Sequence, residues 1–341
     1  MQKERFIKDL SEGEQLDELF MVKAARLGET RAGKPYLSLQ LSDSSGEISG
    51  PAWDNAEALE KICSVGAIVR VRGSVQTYRE KLQLKVDDIS AVEQGEYRMD
   101  DFIPASRRRP ESMETELFEL IDSIKNPFLK KLLLQIFTNT EPGQRFLISP
   151  AAKGIHHAYL GGLLEHSLSM ARVAILLADH YANIDGDLLV AGALLHDIGK
   201  TAELDNEVGV IDYTDIGRLK GHLVIGCEFI GRAADKIKDF PTELLTHLQH
   251  LVLSHHGRQE FGSPVVPMTA EALLLSFIDD MDAKMNLVEQ LSVKLKSDSP
   301  AWSDYQRSLE RHLLLKPVAD QKAETGSGRG DGPTRQPNLF D

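Results

Sequence analysis

Cysteine is nearly absent from this sequence. Cys63 and Cys227 stand far apart in 341 residues, and neither has a C-x-x-C partner. That excludes a disulfide framework and a thiolate zinc site, and it fits a reduced compartment. Long apolar runs are missing as well; none approaches the roughly 20 residues of a membrane-spanning helix. The N-terminal stretch MQKERFIKDLSEGEQ is charged where a secretory leader would be apolar. These absences predict a soluble, cytoplasmic chain with no membrane partner. A surplus of positive charge is also lacking: 39 lysines and arginines face 52 aspartates and glutamates, a formal net charge of −13. A protein that coats duplex DNA by counterion release is thereby disfavoured. A local basic groove or a metal-rich site is not, because metals bring their own positive charge.

What is present predicts a multidomain α and β protein. The apolar fraction, 42%, is ordinary for a globular chain, and the length suits two domains with their own cores. After an N-terminal extension, 1–14, residues 15–95 read as β. Tyr36-Leu37-Ser38-Leu39-Gln40-Leu41 alternates apolar and polar, Asp43-Ser44-Ser45-Gly46 supplies a turn, and Ile68–Arg72 and Leu82–Val86 alternate again. Five short strands with one helix, near 55–63, suit a small Greek-key OB-like β-barrel. The polar stretch 96–113, with Arg107-Arg108-Arg109-Pro110, reads as a linker, solvated or touching nucleic acid. Residues 114–316 read as an all-α domain: Asp187 is placed to cap 188–196, Pro241-Thr242-Glu243 opens a helix ending near His256, and Thr269 starts 270–296. The tail, 317–341, with Gly326-Ser327-Gly328-Arg329-Gly330, is expected to be disordered.

Within the helical domain, His166, the pair His196-Asp197, His222, His255-His256 and Asp279 fall at intervals of 30, 26, 33 and 24 residues. Each interval is about one helical hairpin, so one residue from each of five helices can converge on a single pocket, as in metal sites of helical bundles. A lone histidine on an apolar face is ordinarily a packed core residue; five such positions at regular spacing favour a metal. Imidazole with carboxylate suits Mn, Fe, Co, Ni or Zn better than Mg or Ca. If two ions are present, Asp197 is the natural bridge, having two oxygens.

These residues match the H…HD…D signature of the HD superfamily, and His222 and His255 resemble its dinuclear branch. The wording around them is closer still, in His156-His157-Ala158-Tyr159-Leu160-Gly161-Gly162-Leu163-Leu164-Glu165-His166, in Leu195-His196-Asp197-Ile198-Gly199-Lys200 and in Ser254-His255-His256-Gly257. With the OB-like segment in front, the chain resembles the bacterial YhaM-type 3′→5′ exoribonucleases over about residues 15–300. The resemblance implies stepwise removal of nucleotides from the 3′ end of single-stranded RNA; whether single-stranded DNA is also cut stays open, because no motif here exposes a contact to the 2′-hydroxyl. It implies two divalent transition metals, manganese first, with iron or cobalt as alternatives. By position, His166, His196, Asp197 and Asp279 would hold one ion, and Asp197, His222 and His255 the other. His256 is the alternative to His255, because helix register is read from sequence only to within a residue or so.

Paired metals suit in-line attack on phosphorus at neutral pH, which makes Asp197 a candidate catalytic residue. Lys200, three residues on, is the other, as a cation for a phosphate oxygen or the leaving group. His156, His157, Tyr159 and His256 are candidate substrate contacts, with one histidine alternatively supporting the ligands from behind. In the barrel, Arg70, Arg72, Arg79, Lys81 and Lys85 face only Glu80 between residues 70 and 86. Tyr36, Trp53 and Tyr78 offer stacking faces, the pattern of single-strand binding by OB barrels; the bland alternative is a core Trp53 and a solvated basic edge. Gln336-Pro337-Asn338-Leu339-Phe340 resembles the Q-x-x-L-F peptide that docks on the bacterial sliding clamp. Two rivals remain open: a hydrolase of small nucleotides or cyclic nucleotides, and a clamp-associated nucleic-acid-binding factor with a vestigial site. The Gly-Tyr-Pro element of the cyclic-dinucleotide branch does not follow His255-His256-Gly257.

Overall fold

A computed structural model describes residues 3–317, apart from 31, 80, 94, 99–100, 104–105, 107, 153–156, 158, 206–210, 294 and 296–298. His156 and residues 336–340 therefore lie outside the described residues. The chain divides at Asn286/Leu287 into two units.

Alternating apolar residues build five strands in the first unit: β1 (Gln15–Glu29), β2 (Pro35–Asp43), β3 (Gly46–Ala52), then helix α1 (Ala56–Glu60), β4 (Ile68–Tyr78) and β5 (Lys81–Ala91). They close into a barrel of order β1-β2-β3-β5-β4, with β1 paired to β4 and β3 parallel to β5. This is the OB arrangement the alternation predicts. Phe20, Leu37, Leu41, Val69 and Leu84 fill its interior with no exposed surface. The segment before β1 packs onto the barrel: Leu10 joins the core, and the buried Lys3 Nζ donates to the Leu19 carbonyl at 2.6 Å and lies 4.0 Å from the Phe20 ring centre.

The stretch expected to be a solvated linker contains residues that are not solvated, Met113 among them. Phe102 and Ile103 are buried against Leu19, Met21 and Ile68 of the barrel, as burial of apolar surface dictates even in a polar context. Arg108 is paired with Glu116. The first helix of the next region, α2 (Pro110–Ser123), begins at Pro110, whose fixed φ and missing N–H suit the first turn.

Then follow α3 (Pro127–Asn139), α4 (Glu141–Phe146), α5 (Gly162–His180), α6 (Gly186–Leu195), α7 (Lys200–Glu203), the two-residue strands β6 (Leu204–Asp205) and β7 (Asp212–Tyr213), α8 (Asp215–Ala234), α9 (Thr242–Ser254) and α10 (Ala270–Val293). The domain is helical as expected, apart from the short pair of β6 and β7. In the second unit, β8 (Ala301–Trp302) pairs antiparallel with β9 (Leu314–Leu315). Helix α6 is apolar all round and buried from Leu188 to Leu195, so it runs through the centre of its domain. Whatever follows α6 is delivered to the interior.

The cap of α6 is not the residue expected. Asp185 caps it, its carboxylate accepting from Leu188 N at 3.0 Å. Asp187 instead accepts from the backbone N–H groups of Lys125 and Asn126, at 2.9 and 2.6 Å, and so ties α6 to the α2–α3 turn. Asp185→Ala is expected to cost about 1 kcal/mol in urea unfolding, as loss of an N-cap does; a change below the measurement error would refute the assignment.

Candidate metal centre and nucleic-acid face

His196 is the C-cap of α6, and Asp197 follows it; both are buried. His255 is the C-cap of α9, and His166 sits in the first turns of α5. Within α8 the helix breaks at Gly221, whose φ of 72° and ψ of 155° suit glycine, and His222 restarts it. The break lets the His222 backbone N–H and ring both reach Glu203, at 3.0 Å each. Helix α10 contributes Asp279 and, one turn on, Asp282.

Every one of these imidazoles has its Nδ1 engaged from behind. His196 Nδ1 donates to the Ala193 carbonyl at 2.9 Å, His255 Nδ1 to Val252 at 2.8 Å and His256 Nδ1 to Phe261 at 2.9 Å. His222 Nδ1 meets Glu203, and His166 Nδ1 meets Asp282 Oδ2 at 2.7 Å. A carbonyl or carboxylate can only accept, so Nδ1 carries the proton and Nε2 faces the centre. There, His166 Nε2 lies 3.2 Å from His196 Nε2 and 3.3 Å from Asp279 Oδ1, and His222 Nε2 lies 3.3 Å from His256 Nε2. Asp197 stands between the two groups. Its Oδ2 lies 3.3 Å from His196 Nε2 and 3.9 Å from His166 Nε2; its Oδ1 lies 3.5 Å from His222 Nε2 and 3.6 Å from His255 Nε2.

This donor set fits a divalent metal. Between His222 and His256, neutral rings would set lone pair against lone pair, a contact that a cation between them relieves. Asp197 Oδ1 is buried with no hydrogen-bond partner, a costly condition in the absence of a cation. His166, His196 and Asp197 form one group with ligand atoms close enough to share an ion, and His222, His255 and His256 form another. His255 and His256 are therefore not alternatives in position: both rings reach the cluster.

The electrostatics follow from burial and proximity. Burial disfavours the charge on Asp197, yet Lys200, His196 and His222 hold it well below the usual carboxylate range. Burial likewise opposes ionisation of Asp279, which its bond to His166 reverses. For His166, burial is outweighed by Asp279 and Asp282, which push it up to about 9. Burial, and then the neighbouring His196, press His255 well below its ordinary value. At near-neutral pH the metal-free His166 therefore carries a proton that a metal must displace. Loading at that end is expected to release it, and apparent affinity to rise with pH until about 9. Calorimetry in two buffers of different ionisation enthalpy checks this; identical heats would count against it.

Other sequence-predicted residues fall differently. Lys200 Nζ donates to Asp197 Oδ2 at 2.6 Å. His157 is buried, with Nδ1 on the Tyr159 hydroxyl at 2.8 Å and Nε2 on Asp282 at 3.1 Å, so its ring edge offers nothing to a substrate. It lies behind His166 instead, on the same Asp282 carboxylate that His166 meets. The Tyr159 hydroxyl also donates to Glu165 at 2.9 Å. In the barrel, Trp53 is not core: it is half exposed, with its ring centre 5.0 Å from that of Tyr36. Tyr78 is exposed beside Arg79, and Lys81 opens the next strand. Arg70 and Arg72 are paired with Asp17 and Asp88, which leaves the expected basic groove less positive than the count implies. Asp282, Glu203 and Ser169, which donates to Asp282, carry no motif signal and were not anticipated.

The helical domain that aims imidazoles and carboxylates at one shared aspartate makes this a phosphodiester hydrolase of the HD type, a domain that implies divalent metal, here joined to an OB barrel. Residues 163–284 match the family described as HD domain, and residues 21–92 the one described as OB-fold nucleic acid binding domain. A 3′-5′ exoribonuclease YhaM from Geobacillus sp. (strain WCH70) is 36% identical over 90% of this chain and 93% of its own length. The 3′-5′ exoribonuclease YhaM of Bacillus subtilis (strain 168) is 37% identical over 90% of this chain and 96% of its own. Among solved structures, a domain of replication protein A from Methanococcus maripaludis aligns at 26% identity over 27% of this chain and 97% of that one, with a TM-score of 0.23. The chain belongs to the YhaM exoribonuclease family. No helix among the described residues is long and apolar enough to cross a membrane.

Proposed function

We propose that the protein acts in the cytoplasm as a metal-dependent exonuclease, removing nucleotides from the 3′ end of single-stranded RNA, with single-stranded DNA a second substrate. The observation that carries this is Asp197, whose two oxygens face two separate histidine groups. His166, His196, Asp197 and Asp279 would hold one ion; Asp197, His222 and His255, with His256 beside them, would hold the other. Manganese is the first choice, with iron or cobalt as alternatives, on the mixed nitrogen and oxygen donors. When bound, such ions supply positive charge at the phosphate and acidify the attacking water. The chain's own residues do the rest. Asp197 and the Nε2 atoms fix the positions of the charges. Lys200, partly exposed beside Asp197, offers its ammonium to a phosphate oxygen.

On the barrel, Tyr36, Trp53 and Tyr78 provide faces on which bases stack, with Arg79 and Lys81 for phosphates. Trp53→Ala is expected to weaken binding of a single-stranded oligonucleotide about 5- to 150-fold, the equivalent of one lost stack. Unchanged anisotropy titrations would remove Trp53 from the interface. The clamp-binding reading of residues 336–340 rests on sequence alone; a recombinant clamp that fails to retain a peptide of residues 325–341 ends it.

Digestion of 5′-labelled single-stranded RNA and DNA of one sequence, with Mn, Fe(II), Co or Mg added to metal-stripped protein, tests the whole reading. A metal-dependent ladder shortening from the 3′ end is expected. Intact polymers, with release of phosphate or nucleotide from small substrates, would overturn it.

A further inference from the structure

Three of the cluster's imidazoles, His196, His255 and His256, are oriented by backbone carbonyls. Only two rest on carboxylates, and these stand on opposite sides of Asp197. His166, on the Oδ2 side, rests on Asp282; His222, on the Oδ1 side, rests on Glu203. We propose that Asp282 and Glu203 are positioning residues, one for each end of the cluster, and that each sets the affinity of a different metal ion. The proposal rests on the two-ion reading above.

Helix α10 grips one ring by both nitrogens. Asp279 Oδ1 lies 3.3 Å from His166 Nε2, and Asp282 Oδ2, one turn later, lies 2.7 Å from His166 Nδ1. Asp282 is itself fixed, since Oδ2 also accepts from His157 Nε2 at 3.1 Å and Oδ1 accepts from the Ser169 hydroxyl. His157 in turn is held by its backbone N–H, which donates to Asn286 Oδ1 at 3.1 Å. A φ of 50° at His157, uncommon outside glycine, shows that these contacts outweigh local backbone preference. Glu203 is held as firmly. It ends α7, its own carbonyl accepts from Thr214 N at 3.0 Å, and its carboxylate receives both the ring and the backbone N–H of His222. A carboxylate behind a histidine locks the tautomer and makes the inward nitrogen a stronger donor, and its loss costs about 10- to 100-fold in metal affinity.

The test titrates metal-stripped, full-length protein with Mn(II) by calorimetry, and with Co(II) followed by visible absorption. The wild type is compared with Asp282→Asn, Glu203→Gln and the double variant. Wild-type protein is expected to take up two equivalents. Each single variant should weaken one of them about 10- to 100-fold and leave the other within about threefold, and the double variant should weaken both. If Asp282→Asn lowers the melting temperature of the metal-free protein severely, Ser169→Ala loosens the same carboxylate from its other oxygen and should weaken the same equivalent a few-fold. Two wild-type equivalents, with both variants acting on the same one or on neither, overturn the division. Fewer than two wild-type equivalents overturn the two-ion reading itself, and the division with it.

Discussion

An Asp197→Asn protein is expected to lose at least about 10³-fold in the rate of 3′-end hydrolysis, some 4 kcal/mol of transition-state stabilisation. Its metal-free fold should stay intact. The rate loss follows because an amide cannot present an anionic oxygen to each of the two histidine groups that Asp197 now faces at 3.3–3.9 Å. The fold survives because the amide keeps the shape of the carboxylate and its oxygen can still accept from Lys200 Nζ. The Lys200 partner can turn its ammonium to solvent, its side chain being already 15% exposed. Single-turnover rates and metal content, read beside melting temperatures, decide the matter. A variant within tenfold of the wild-type rate would remove Asp197 from the centre of the mechanism.

Gly199→Ala is expected to damage both stability and turnover, although Gly199 has no side chain to offer the reaction. A Cβ there would lie 2.0 Å from the His222 carbonyl oxygen and 2.7 Å from Gly226 N. Both are backbone atoms of α8, which cannot step aside as a side chain can. The helix must retreat, taking His222 with it. Overpacking of this kind costs about 1–3 kcal/mol, and a shift of about 1 Å in a positioned group costs about 10²-fold in rate. Gly226→Ala is the control: its Cβ would meet nothing closer than 3.5 Å. If the two variants melt and turn over alike, the close approach of the His196-Asp197 turn to α8 is not what places His222.

The parts legible in sequence were those with a period or a spacing. Strand alternation gave away the barrel because each strand has one buried face, as β2 shows with Leu37, Leu39 and Leu41. The histidines stood out because each interval between them is about one helical hairpin. Where chemistry is set by three-dimensional partners, the pattern is silent. Asp282 lies in Asp279-Asp280-Met281-Asp282, where nothing in the string separates a residue facing the cluster, an exposed one paired with Lys284, and one braced by three donors. Arg70 and Arg72 look like a nucleic-acid stripe until Asp17, more than 50 positions away, and Asp88 are brought beside them by barrel closure. Asp185 and Asp187 are equivalent as caps on paper; the α2–α3 turn decides between them. His255 and His256 looked like competitors because helix register is read from sequence only to within a residue or so, yet α9 ends at Ser254. Past that end the two rings, 4.3 Å apart between centres, can both turn inward.

The way α6 and α9 finish bears on how this protein can evolve. Each helix stops on a histidine whose ring donates to a carbonyl three residues back, Ala193 in one and Val252 in the other. The same imidazole therefore closes a helix and, on the function proposed above, serves the reaction. A lineage that drifts away from either histidine loses part of its scaffold along with its chemistry. A stable, inactive descendant is then harder to reach by single steps than one in which structure and activity rest on separate residues.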